Sequence, residues 1–309
     1  MEWLIIKSDE RIKPDYVSPV EEFLLKREQK FSALCREDVK ALHSGKRLKT
    51  VFKKFTHVVI TDEDFCRLPA SDSLLSGMQF FLLGEIAGRN LPLYCVNLPF
   101  LTKLDDSILN FTSVKETVDF LDREYAQIEK ADIRRVATEE LLSKGIPVTP
   151  ECFASFIVKD KLPVCRLFIK AGVDVNSRDP TGTPMLNVAV RSENKKIVSW
   201  LISENADINL CSQDRGYSAV MDAVWKSNEA IIKLLVAQGA DLNCLSKDGQ
   251  SILVLAVGIG KENICRILAE GGADPDIKDS MGMSAYEYAV LFKNEKIVKV
   301  LAPFHKESD

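Results

Sequence analysis

Histidine is scarce in this chain, with three in 309 residues. The eight cysteines, at 35, 66, 95, 152, 165, 211, 244 and 265, form no Cys-x-x-Cys pair. Together these absences exclude a zinc site of ordinary spacing, and no metal ligand set is expected. Charge of one sign is also missing. The net charge is −4, residues 1–145 carry 22 Lys+Arg against 24 Asp+Glu, and the rest carry 19 against 21. Neither half is basic enough for a nucleic-acid surface. The one basic run, Lys46, Arg47, Lys49, Lys53 and Lys54, reads as the solvated face of a helix. No stretch approaches the roughly 20 apolar residues that span a membrane. The opening MEWLIIKSDERIK has too short an apolar run, and no charged leader, for a secretion signal. No Gly-rich phosphate loop is present, and no cofactor is expected.

What is there is an ordinary globular balance, 46% apolar and 28% charged. The length suits two domains. Several cysteines sit where an apolar residue would pack, as Cys95 does in LPLYCV. They read as small hydrophobes in a reducing compartment, which predicts a cytoplasmic protein.

The second half repeats itself. Asp174, Asp207, Asp241 and Asp274 recur within the similar segments AGVDVN, NADIN, QGADLN and GGADPD. Ala189, Ala223, Ala256 and Ala289 mark an earlier point of each unit, at steps of 34, 33 and 33 residues. A short helix is predicted over GTPMLNVAV, GYSAVMDAV, GQSILVLAV and GMSAYEYAV, where the Ala lets neighbouring helices approach closely. A second helix follows with paired apolar residues such as Ile197-Val198 and Ile231-Ile232. Gly172, Gly239 and Gly272 fit helix C-caps that need a positive φ, and Asn205 fills that slot in one unit. Asp and Asn then turn the chain into a hairpin. At the entry, Thr149-Pro150-Glu151 predicts a helix start, with helices over 150–159 and 162–170.

A 33-residue period of this form resembles the ankyrin-repeat family. The resemblance covers about residues 147–305. It implies an all-α ankyrin-repeat solenoid, over residues 131–309, made of an N-terminal capping repeat plus four repeats. The family's Thr-Pro-Leu-His motif is nowhere intact. Thr183-Pro184 survives once, and the His position holds Asn187, Met221, Val254 and Glu287. This departure predicts the loss of a hydrogen bond between adjacent repeats. The ending LAPFHKESD suits a polar cap.

Residues 1–130 alternate strands with helices. Strands are predicted in MEWLIIK, FSALC, HVVITD, LPLYCVN and ILNFTS, and helices over 37–55 and 73–88. Ser113-Val114-Lys115-Glu116 is a capping box that starts a long helix with Val118, Leu121, Tyr125 and Ile128 on one face. The pattern predicts an α/β domain with a parallel, flavodoxin-like sheet.

The stretch Ser76-Gly77, Phe81-Leu82-Leu83-Gly84, Gly88-Arg89-Asn90-Leu91-Pro92 resembles the nucleoside 2-deoxyribosyltransferases and the related Toll/interleukin-receptor domains, some of which hydrolyse NAD. Both families place a catalytic glutamate on this helix, acting at the ribose C1′. The matching position here is Leu82, which has no such chemistry. Glu85 lies three residues on, displaced by about 4–5 Å along the axis. Asp62 and Asp64 follow a strand, where such folds bind ligands. They could hold a ribose or a water, or serve only the turn. The resemblance thus names Glu85, Asp62 and Asp64 as the catalytic candidates of a nucleoside or NAD glycosidase, should the head be an enzyme.

The repeats point instead to binding another protein through a concave surface. The hairpin tips place Arg178, Arg215 and Lys247 at its edge. Two residues after each repeat's Ala stand Arg191, Trp225, Gly258 and Leu291. Trp and Arg are favoured at interface centres. Trp225 either meets a partner or packs on the next repeat. The expected function is an interaction scaffold whose head lacks its chemistry. The alternative is a glycosidase targeted by its repeats.

Overall fold

The computed structural model describes residues 1–6, 18–34, 54–61, 91–96 and 108–306. The chain divides into two compact units, Met1–Asp132 and Ile133–Asp309.

The first unit holds a five-stranded sheet: β1 (Glu2–Ile6), β2 (Lys30–Leu34), β3 (His57–Ile60), β4 (Leu93–Val96) and β5 (Leu109–Phe111). The order is β2-β1-β3-β4-β5, and every neighbouring pair is parallel. This is the flavodoxin-like arrangement. The three inner strands are almost wholly buried, whereas β2 and β5 at the edges are partly exposed. A parallel strand covered on both faces has no wet side, so LII, HVVI and LYCV carry continuous apolar runs. Trp3, Ile5, Val59 and Tyr94 pack with Val20, Phe23 and Leu24 of helix α1 (Pro19–Lys26) and with Leu121 of helix α2 (Val114–Ser143). Val118, Tyr125 and Ile128 join Leu121, the face expected from the helical spacing.

Local chemistry starts both helices. Ser18 caps α1: its Oγ accepts from the Glu21 backbone N–H (3.3 Å), and Glu21 Oε2 accepts from the Ser18 N–H (2.7 Å). The box expected at α2 closes differently. Ser113 Oγ accepts from the Glu116 N–H (3.2 Å), but the Glu116 carboxylate reaches back one residue further, accepting from Thr112 N–H (2.7 Å) and Oγ–H (2.6 Å). A second donor on Thr112 outbids a lone backbone N–H.

The second unit is a stack of helix pairs. After the end of α2 come α3 (Pro150–Val158) and α4 (Leu162–Lys170), then α5 (Met185–Arg191) and α6 (Lys195–Ser203). The next pairs are α7 (Ala219–Trp225) with α8 (Glu229–Ala237), α9 (Ile252–Ile259) with α10 (Glu262–Glu270), and α11 (Ala285–Leu291) with α12 (Glu295–Leu301). The first helix of each pair packs on the first helix of the next, forming a continuous inner row. Ala189, Ala223, Ala256 and Ala289 are fully buried in that row. The paired Ile, Val and Leu residues of the second helices fill the same core. The helix ends follow the sequence: Thr149 Oγ accepts from the Cys152 N–H (3.3 Å), and Gly172, Gly239 and Gly272 have φ of 91°, 80° and 100°. Asn205 takes the same left-handed geometry at 65°, as short polar side chains tolerate.

The hairpins carry a ladder. In each unit an Asp carboxylate accepts from the N–H two residues on, at Asp174, Asp207, Asp241 and Asp274. The Asn so positioned then accepts from the backbone of the next unit: Asn176 from Asp207 (2.8 Å), Asn209 from Asp241 (2.9 Å) and Asn243 from Asp274 (2.9 Å). In the last unit Asp276 replaces this Asn. Its carboxylate accepts instead from the segment after α12, from Lys306 N–H (2.8 Å) and His305 Nδ1 (2.5 Å), while the His305 ring stacks on Tyr286. One substitution therefore redirects this contact from a following hairpin to the segment after α12.

Candidate functional site

The inner helices present their last turns along one row. Arg191, Trp225, Gly258 and Leu291 occupy the equivalent place in successive repeats, two residues beyond the buried Ala. Their surroundings differ sharply from one end of the row to the other.

At α5 and α7 the row is polar and closed. Arg191 Nε donates to Asp222 Oδ2 (2.9 Å), and its two Nη groups fork onto Asp214 (2.9 and 3.1 Å). Asn187 donates to the same Asp222 oxygen (2.9 Å) and to the Tyr217 carbonyl of the next repeat (3.0 Å). Asp222 is 1% exposed, and its other oxygen has no hydrogen-bond partner, nor has Asn187 Oδ1. Burial pushes the Asp222 carboxyl above the usual carboxylate range, against the pull of Asn187 and Arg191. Asp214, nearer the surface, is held well below that range by its hydrogen bonds from Arg191. The expectation that the missing consensus His costs an inter-repeat bond is therefore corrected at this junction. Asn187, at that position, supplies the bond itself. Met221 and Val254, at the same position in the next two repeats, are buried apolar residues.

From α7 to α11 the row is apolar and open. A groove of about 500 Å³ is lined by Trp225, by Gln250 just ahead of α9, by Val254, Leu255, Gly258 and Ile259 of α9, and by Tyr288 and Phe292. Trp225 is 52% exposed and Phe292 57%. Tyr288 is held in place by donating its hydroxyl to Asp279 (2.8 Å). Its ring lies 5.7 Å from that of Phe292. The Arg215 guanidinium sits over Trp225 (5.3 Å) and Tyr217 (4.9 Å), a cation–π position.

The other candidates fall as follows. Arg178 donates one Nη to both the Gly182 and Cys211 carbonyls (2.8 Å each), so it ties neighbouring hairpins together. Lys247 Nζ donates to the Gln213 carbonyl of the preceding hairpin. Asp62, Asp64, Leu82 and Glu85 lie outside the described residues. Among the described residues no group of three or more His, Cys, Asp or Glu could hold a metal ion, and no helix is long and apolar enough to cross a membrane.

With the repeat geometry in view, comparison with known proteins identifies it. A family model described as ankyrin repeats (3 copies) matches residues 153–246 and 220–309. The two matches together cover half of the chain. The chain belongs to the ankyrin-repeat family. It is also 36% identical, over 140 residues, to a protein of Treponema pallidum (strain Nichols) whose name describes it as ankyrin repeat-containing. That alignment takes in 45% of this chain and 47% of the relative, so the chain spans about half the length of the curated relative it matches.

Sequence reasoning singled out Arg191, Arg215 and Trp225 and did not single out Asp222, Tyr288 or Phe292. Asp222 had a readable signal: it interrupts the apolar run AVMDAVW one residue before the buried Ala223, so its carboxylate must be buried and partnered. The aromatic wall had a weaker one, since Tyr288 and Phe292 are four apart on the last inner helix and its exit.

Proposed function

We propose that this ankyrin-repeat protein binds a protein partner through the inner-helix face of its second unit. The observation that carries the reading is the half-exposed Trp225 standing beside a groove of about 500 Å³ built from three successive repeats. Large aromatic side chains left open in a preformed apolar groove are the usual centres of binding energy. Stable recognition buries on the order of 1,200–2,000 Å² in total, which a face of several repeats supplies. The test is affinity capture with the full chain as bait, in parallel with a Trp225→Ala bait. The variant is expected to lose the partner by tenfold or more, on the order of one interface hot spot, while keeping its helical circular dichroism. Undiminished capture by a folded variant would remove Trp225 from the interface.

In this reading the first unit has no glycosidase chemistry, because the family's catalytic position holds Leu82. One observation favours a second reading, a nucleoside or NAD glycosidase head. The strand order reverses between β1 and β3, and in such sheets ligands bind beyond the carboxyl ends at that switch point; in the sequence, Asp62 and Asp64 come shortly after β3. Incubation with NAD and with deoxynucleosides, following free base by chromatography, separates the two. No release is expected. Release that disappears in Glu85→Ala would make the head an enzyme with a shifted glutamate.

A further inference from the structure

The groove has at its centre a residue that the fold does not require. Gly258 lies within α9, one residue from its end, and its backbone is not left-handed. A Cβ placed there would meet no heavy atom within 4 Å. Gly216 shows the opposite case: its φ is 69°, and a Cβ would come within 2.7 Å of the Lys247 backbone. Neither a turn nor a close approach explains Gly258, and glycine is among the least favourable residues inside a helix. The equivalent positions hold Arg191, Trp225 and Leu291, all large. What the missing side chain leaves is a notch, with Trp225 on one neighbouring helix and Tyr288 and Phe292 at the other.

The rim adds a charge. Arg215 lies over Trp225, and its guanidinium donates to no acceptor among the described residues. Its one ion pair among the described residues is long, 4.0 Å to Asp214, which already takes the fork of Arg191. A planar guanidinium with free donors, beside an apolar notch, is complementary to a carboxylate next to a bulky apolar side chain.

We propose that Gly258 sets the specificity of this face: the notch above it takes one large apolar side chain, aliphatic or aromatic, from a segment of a protein partner, and Arg215 takes an Asp or Glu of the same segment. The inference rests on the inner-helix face being the binding surface.

The test uses the full chain and a displayed library of short random peptides. Enriched peptides should carry a bulky apolar residue with an acid within a few positions. Gly258→Leu should bind them at least about tenfold more weakly, as expected when one apolar side chain is shut out. Its Tm should stay at or above that of the wild type, because the added side chain has room and leucine favours helix. Gly258→Ala should bind nearly as the parent does. Shortening the apolar peptide residue to Ala should cost a similar factor, and the two losses should not add. Equal binding by a folded Gly258→Leu protein overturns the notch. If that binding still falls in Trp225→Ala, the inner-helix face survives and only the notch is lost; indifference to both variants removes the face as well. A panning that enriches no binder, or peptides with no acid, also overturns the proposal. So does a concentration-dependent dimer in sedimentation that Gly258→Leu dissociates, which would make the occupant a second copy.

Discussion

Arg191 and Trp225 hold the same place in successive repeats and do opposite things. Arg191 is drawn into the protein by two carboxylates and closes its junction. Trp225 finds no such partners, stays half exposed, and stands beside an open groove. The backbone around them is nearly the same: a seven-residue inner helix with a buried Ala two residues back. Repetition of the fold thus fixes where a side chain points, and the neighbours one repeat away decide whether that position becomes a lock or a binding surface. The lock forms where Asn187 and Asp222 face each other across the junction. The groove forms where Val254 and Gly258 replace polar or large residues.

The comparison is most severely broken by Arg191→Ala. It leaves Asp222 buried with its main counter-charge gone, and removing one partner of a buried pair costs about 3–5 kcal/mol. Urea denaturation should show a loss of that order; a loss below about 1 kcal/mol would mean that the lock is decorative. A sharper test uses pH. The folded-state pKa of Asp222 is raised, so its contribution favours the fold below about pH 4, the unfolded carboxylate value, and is lost as pH rises through the folded value. Asp214 is lowered, so its contribution is present above about pH 4 and lost as pH falls through the folded value. Relative to the wild type, Asp222→Asn should therefore look best at neutral pH and Asp214→Asn worst, with both differences shifting in opposite directions on acidification. Parallel shifts would sink the assignment. The smallest effect belongs to Trp225→Ala, which should change stability by less than about 1 kcal/mol because the ring is half in water already. A large loss would show that Trp225 is packing after all.

Much of this architecture is legible along the chain. The 33-residue spacing, the paired apolar residues and the capping signals at Thr149, Gly172 and Asn205 are local, and local chemistry reads out locally. The continuous apolar runs of β1, β3 and β4 likewise announce a sheet covered on both faces. The reading of Ser113–Glu116 went astray by one residue because two donors on Thr112 compete with one on Ser113. The loss expected from the missing consensus His went astray at the Asn187 junction alone, because an amide at that position reaches the next repeat; Met221 and Val254 are apolar there.

By itself the sequence determined a period, and with it the helix pairs, the hairpin turns and the row on which Arg191, Trp225, Gly258 and Leu291 stand. These follow from capping, helical spacing and apolar burial within some thirty residues, which any single repeat contains. Only the tertiary structure decided what that row does. Asp222 meets Arg191 across 31 residues and the groove joins side chains from three repeats. Whether a charge is buried or an aromatic ring is left open depends on what the neighbouring repeat places within a few ångströms, and the period of one repeat is silent about the residues of the next.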